Sequence, residues 1–225
     1  MSYGSYLRQE VENSVNPVTR EAILTDINAY YTTKLTQHGA TPRGVDWNDA
    51  ASHHSRHHQF LRLLASDPAA SVLDLGCGYG DFLAFLRKNE HTGKFIGYDI
   101  SAAMIAEAER LHGSDQNCDW RVGAEPTEPA DYAIASGIMN VKGDVPAADW
   151  ETYVRDTILL LGRSSRRGFA ANMLTMSNDP EKRRSNLHYV DPIEMLQFCL
   201  KNFGRSVALM QDYGLYEFTI IVRHG

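Results

Sequence analysis

Three glycines between two aspartates carry the clearest chemistry in this chain. Asp74-Leu75-Gly76-Cys77-Gly78-Tyr79-Gly80 places glycine at every second position, directly after the apolar pair Val72-Leu73. Without a Cβ, glycine lets a ligand approach the backbone and adopts the tight turn that leaves a strand end. Asp99 follows nineteen positions after Gly80, closing a second apolar run, Phe95-Ile96-Gly97-Tyr98. A carboxylate at the tip of the strand after a glycine loop accepts hydrogen bonds from both hydroxyls of a ribose. The pattern predicts a nucleotide-like ligand at the ends of two parallel strands. Its G-x-G-x-G spacing departs from the G-x-G-x-x-G of a dinucleotide site and so disfavours a nicotinamide dehydrogenase.

Two further groups have the side chains for acid–base or metal chemistry. His53, His54, His57 and His58 form two i,i+4 pairs on an expected helix. Imidazoles at that spacing reach a common metal. In H-E-x-x-H, however, a glutamate follows the first histidine, and Ser55 stands there after His54. No acidic third ligand is near in sequence, so no metal is expected and the four histidines read as a polar helix face over a cleft. Tyr31, Lys34 and His38 share one face of an earlier helix, just before the loop Gly44-Val45-Asp46-Trp47-Asn48. Loops over a pocket mouth often carry functional side chains. His38 and Tyr31 are the catalytic candidates, with His38 alternatively a helix C-terminal residue facing the dipole.

The stretch from Asp74 to Gly80 resembles motif I, D-x-G-x-G-x-G, of the class I S-adenosylmethionine-dependent methyltransferases; Asp74, Gly76, Gly78 and Gly80 fill the pattern. The resemblance covers about residues 70–222 and implies a cofactor, S-adenosyl-L-methionine, released as S-adenosyl-L-homocysteine. It implies that Asp74 orients the methionine ammonium, that the backbone at Gly76 and Cys77 approaches the amino-acid part and that Asp99 holds the ribose. Ile100 and Met104 are expected on the adenine face, with Glu125 or the backbone of Gly123 and Ala124 at the adenine edge. Ser136 and Gly137 are expected to offer carbonyls to the ammonium, and Arg56 to pair the methionine carboxylate. Trp47, Asn140, His188, Tyr189 and Tyr213 are the expected substrate-pocket residues. The segment Ser136-Gly137-Ile138-Met139 lacks the Asn-Pro-Pro-Tyr type of sequence that accompanies base or amide-nitrogen methylation. The acceptor expected is an oxygen or nitrogen of a small molecule; the alternatives are a protein or RNA methyltransferase on the same core, or a non-catalytic cofactor-binding protein.

The elements that must position these residues follow from periodicity. Asn16-Pro17 carries the signals of a helix start, and Ile23, Leu24, Ile27, Tyr30, Tyr31 and Leu35 recur at helical spacing up to Gly39. A second helix is expected from near Asn48 or Ser52 to before Asp67, with Phe60, Leu61, Leu63 and Leu64 inward. Strands are expected at 72–75, 95–98, 119–122, 132–136 and 168–174, alternating with helices at 81–88, 102–111 and 149–161. Such alternation builds right-handed βαβ units on a mostly parallel sheet. A helix at 193–201 precedes two strands, 206–211 and 216–222, joined by a glycine turn. The expected fold is α/β: a Rossmann-like methyltransferase sandwich, a seven-stranded mostly parallel sheet with a C-terminal antiparallel hairpin. Residues 1–65 are expected as a helical cap and 66–225 as the core, with 175–191 as a lid insertion.

Composition agrees with one such domain. The 225 residues are 43% hydrophobic and 22% charged, with a formal net charge of -6. That balance argues against a nucleic-acid partner, which usually meets a basic face. Three cysteines, Cys77, Cys118 and Cys199, lack metal-ligand spacing and fit a reducing cytosol. No apolar run reaches the ~20 residues of a membrane span. The expected protein is cytoplasmic, without a membrane partner, and a monomer or homodimer.

Overall fold

Apolar runs form the strands and amphipathic stretches the helices that cover them. The computed structural model describes residues 18–47, 50–64 and 67–225. Helices α1 (Arg20–His38) and α2 (Ala50–Leu64) lead into strand β1 (Val72–Leu75). Then come α3 (Asp81–Lys88), β2 (Phe95–Asp99), α4 (Ala102–His112), β3 (Cys118–Val122), β4 (Ala130–Ser136), α5 (Ala147–Arg163) and β5 (Ser165–Leu174). The chain ends with α6 (Pro192–Phe203), β6 (Val207–Met210) and β7 (Glu217–Arg223).

The strands form one seven-stranded sheet in the order β3-β2-β1-β4-β5-β7-β6. Strands β1 to β5 pair in parallel, whereas β7 runs antiparallel to both β5 and β6. This is the expected sandwich with its terminal hairpin. The strand order reverses between β1 and β4, and ligands of open α/β sheets bind outside the carboxyl ends of the strands at that switch.

Boundaries differ where polar residues begin an element. Strand β5 starts at Ser165, ahead of the expected Gly168, because Arg166 and Arg167 lie on its exposed positions. Strand β4 starts at Ala130, and the Asp131 carboxylate accepts from both Ser71 N and Ser71 Oγ, at 2.8 and 2.7 Å. The expected helix opening at Asn16-Pro17 and the possible start at Asn48 lie outside the described residues. Helix α1 is capped by Thr19, whose hydroxyl accepts from Ala22 N at 3.2 Å.

The helical cap expected over 1–65 divides into two roles. Helix α2 is a layer of the sandwich: Phe60, Leu63 and Leu64 join Phe82, Leu83, Phe85 and Leu86 of α3 in one apolar cluster against Val72, Phe95 and Ile221 of the sheet. Leu61 packs at the margin of that cluster. Each such side chain contributes about 1.5–3 kcal/mol by leaving water. On the other face, Trp150, Val154, Ile158 and Leu161 of α5 and Met195 and Cys199 of α6 bury the sheet. Helix α1 alone crosses the strand ends, inserting only Ile23 fully into that second cluster.

Candidate active site

A cleft of about 960 Å³, counted to its open mouth, lies at the carboxyl ends of β1, β2 and β4. Its floor is the glycine loop after β1. Gly76 sits at φ 80°, and a Cβ there would come 2.1 Å from Ile138 Cγ2. The loop is braced from within. Gly76 N and Cys77 N donate to the Tyr98 carbonyl at 2.7 and 2.9 Å, and Gly80 N donates to the Cys77 carbonyl at 3.0 Å. Gly76, Cys77 and Gly78 line the cleft; Gly80 stands behind it, opening α3.

Two carboxyl groups face this cleft. Asp99 Oδ2 accepts from Gly78 N at 2.9 Å and Oδ1 from Ser101 N at 2.8 Å. Burial pushes its pKa up to about 6, against the pull of those two N–H groups. Asp74 is 3% exposed, between Gly97 of β2 and Ile134 of β4. Burial, helped by the charge of Asp99, pushes its pKa up to about 8. Among the described residues neither aspartate has an ion-pair partner.

The remaining walls come from strand ends and helices. Ile100, Met104, Gly123 and Ala124 line one end of the cleft. Glu125 instead turns to Arg20 and Arg163, at 3.1 and 3.6 Å. Ser136 and Gly137 line the cleft, held by the buried Asn172: its Oδ1 accepts from Gly137 N at 2.7 Å and its Nδ2 donates to Ser136 Oγ at 3.2 Å. Gly137 has φ 78°, and a Cβ there would meet Trp47 Cζ2 at 2.4 Å. Sequence reading missed Asn172, whose strand signal hid a polar role. It also missed Tyr153 and Thr157 of α5, which reach the cleft.

Of the catalytic candidates, Tyr31 lines the cleft and His38 does not. Burial raises the Tyr31 phenol far above its ordinary value, with a further push from Asp46. It is a neutral hydrogen-bonding group, not a phenolate base. His38 is exposed in the last turn of α1, the dipole-facing place. Its former facemate Lys34 reaches Asp46 Oδ1 at 2.6 Å, while Tyr30 donates to Asp46 Oδ2 at 2.8 Å.

Most of the expected pocket side chains have other partners. Trp47 lines the cleft. Arg56 does not: its Nε lies 2.8 Å from Glu217 Oε1, Nη1 donates to the Ser52 carbonyl at 2.7 Å, and its guanidinium covers the Trp47 ring at 3.7 Å. Asn140 is buried, its Oδ1 accepting from Leu174 N at 3.2 Å and its carbonyl from His188 N at 2.8 Å. His188 Nε2 lies 3.0 Å from Glu151 Oε2, and Tyr189 accepts from Arg184 N at 3.0 Å. Tyr213 shares a hydrogen bond with Thr219 at 3.0 Å. The expected lid, 175–191, contributes nothing to the cleft wall; it is anchored by Lys142 N and Gly143 N donating to the Asn186 carbonyl, at 3.0 and 3.1 Å. The histidine helix does reach the cleft: His53 and His57 line it beside Asp81, the first residue of α3.

Residues 73–160 match the family model described as a methyltransferase domain. A protein of Mycobacterium tuberculosis (strain ATCC 25618 / H37Rv) named as a methyltransferase, Rv1506c, is 40% identical over 159 residues, which is 71% of this chain and 95% of that one. The chain is a class I S-adenosylmethionine-dependent methyltransferase. This methyltransferase has the fold of magnesium protoporphyrin IX methyltransferase from Synechocystis PCC 6803, with a TM-score of 0.64, 13% identity, and coverage of 93% of this chain and 100% of that one. The N-methyltransferase NodS from Bradyrhizobium japonicum WM9 gives a TM-score of 0.64 at 16% identity, covering 88% and 97%. The Synechocystis structure holds bound S-adenosylmethionine. Among the described residues no helix is long and apolar enough to cross a membrane.

Proposed function

We propose that this methyltransferase transfers its methyl group to an oxygen or nitrogen of a small-molecule acceptor bound in the same cleft as the cofactor. One observation carries the reading. The cleft that contains Asp74 and Asp99 is also walled by Leu24, Ile27 and Tyr31 of α1 and by Trp47, so donor and acceptor share a recess roofed by the chain's own N-terminal helix. A recess of this kind suits a small ligand and disfavours the broad surface of a folded macromolecule. The net charge of -6 supports a reading without nucleic acid. The Synechocystis protein of like fold, named for a magnesium porphyrin, accords with a small acceptor.

The residues present fit the cofactor. Asp74 and Asp99 line the cleft without cationic partners, beside the backbone of Gly76, Cys77 and Gly78. When bound, S-adenosylmethionine supplies an activated methyl on a sulfonium. In this reading Asp99 holds the ribose diol and Asp74 meets the ammonium, with the carbonyls of Ser136 and Gly137. Ile100 and Met104 pack on the adenine, and the backbone at Gly123 and Ala124 meets its edge. Asn172 positions the strand tip. Tyr31 and Trp47 orient the acceptor and exclude water; correct placement alone is worth several kcal/mol, up to about 7–11.

The test follows the methyl group. Radiolabelled donor is incubated with the enzyme and either deproteinised small-molecule extract or purified tRNA and protein fractions. Label is expected in the small-molecule fraction. Label confined to macromolecules would overturn the acceptor class while leaving the donor intact.

A further inference from the structure

We propose that His53, His57 and Asp81 form a binding site for a divalent first-row transition metal on the wall of the cleft. The sequence gives the two histidines on one face of α2, four positions apart, without an acid near them. The fold supplies it: the turn after Gly80 delivers Asp81 from α3. The ligand atoms of the three residues all lie within 4.8 Å of one another.

The atoms are in ligand-like positions, and the half-exposed His54 also brings its Nε2 to 3.7 Å from Asp81 Oδ2. His53 Nδ1 lies 3.3 Å and His57 Nδ1 3.7 Å from Asp81 Oδ2. All three atoms are buried without a hydrogen bond. Direct hydrogen bonds here would need to be about 2.7–3.2 Å long. Donors around a tetrahedral ion with bonds of about 2.0–2.2 Å are instead roughly 3.3–3.6 Å apart. A buried polar atom left without a partner is unfavourable, so three converging ones are better explained by a common ligand than by chance.

The donor set narrows the ion. Two imidazoles and one carboxylate suit zinc, iron, cobalt or nickel, whereas magnesium and calcium prefer oxygen alone. Three protein ligands leave coordination positions open. The apolar backing comes from Phe82 and Phe85, whose rings lie 5.0 and 5.2 Å from that of His57. The open side therefore faces the cleft, where an acceptor hydroxyl or carboxylate oxygen would complete the coordination. Such an ion would lower the pKa of a bound hydroxyl, which suits a cleft whose Tyr31 is no base. Metal binding by the three side chains does not depend on the acceptor assignment made above; the acceptor's place on the ion rests on it.

The full-length protein, stripped of metal by chelator dialysis, is titrated with cobalt(II) and then zinc(II), followed by visible absorption and calorimetry. One equivalent of cobalt per chain with a d–d spectrum, displaced by zinc, is expected. His53→Gln and Asp81→Asn, checked for folding by circular dichroism, should weaken binding by more than the roughly 10–100-fold that follows loss of an outer-shell partner. His58→Gln, on the exposed side of α2, should bind as wild type. Failure of the wild type to bind one equivalent, or retention in both cleft variants, overturns the site. Loss in His58→Gln alone would likewise overturn it, by placing the metal on the outer histidine pair. S-adenosylmethionine affinity measured on the same metal-free samples keeps this result separate from the methyltransferase reading.

Discussion

The Arg56 guanidinium is held by Glu217, with Nε 2.8 Å from Oε1 and 3.0 Å from Oε2, and both side chains are buried. This joins α2 to β7 beneath Trp47. Removing one member of a buried pair costs about 3–5 kcal/mol because the other is left without a partner. Arg56→Met should lower stability on that scale in urea unfolding. The double variant Arg56→Met/Glu217→Met should recover most of it. Burial already pushes Glu217 up to about 7, opposed by Arg56. The cost of Arg56→Met should therefore grow above pH ~7, where the wild-type carboxylate is ionised beside arginine. A stable Arg56→Met with lost cofactor affinity would contradict the pair and return the arginine to the cofactor.

Gly137 and Trp47 make a second testable contact. Gly137→Ala would force a Cβ against the indole at a φ of 78°, which non-glycine residues avoid. The left-handed conformation alone costs about 1–2 kcal/mol. Melting temperature should fall, and Trp47 should move, visible as altered indole fluorescence against a Trp47→Phe reference. Unchanged stability and fluorescence would refute the close approach.

Asp74 makes the protein's pH response predictable. Its folded pKa of about 8 lies above the unfolded value of about 3.9, so the protonated form contributes stability below pH ~4. That contribution is lost as pH rises towards about 8. The cofactor-free enzyme should lose melting temperature between pH 5 and 8 by roughly this route, and Asp74→Asn should flatten the loss. The cofactor's ammonium favours ionised Asp74, so binding near pH ~7 should release protons. Calorimetric enthalpy should then depend on the ionisation heat of the buffer, and Asp74→Asn should remove that dependence. Binding without proton release would separate Asp74 from the ammonium.

The glycine loop, Asp74 and Asp99 were legible because backbone geometry fixes their spacing along the chain. The same holds for the sheet, whose strands are apolar runs, and for the terminal hairpin around Gly214. Contacts that depend on distant pairing were not legible. Arg56 was assigned to the methionine carboxylate because its partner Glu217 lies 161 positions away. The pair His53 and His57 lacked an acid until α3 brought Asp81 to them. His188 and Asn140 read as pocket groups, but packing between the 137–145 segment and the 175–191 insertion claims them. His38 has the right chemistry but faces solvent, because the helix ends where the cleft does not reach.

The central claim is that Asp99 holds the methyl donor at the end of β2. It is tested most directly by calorimetric titration of wild type and Asp99→Ala with S-adenosylmethionine, after circular dichroism shows both folded. Each charge-assisted bond lost should cost about 1.5–3 kcal/mol, or about 10- to 150-fold in Kd. Affinity unchanged in Asp99→Ala would contradict the account.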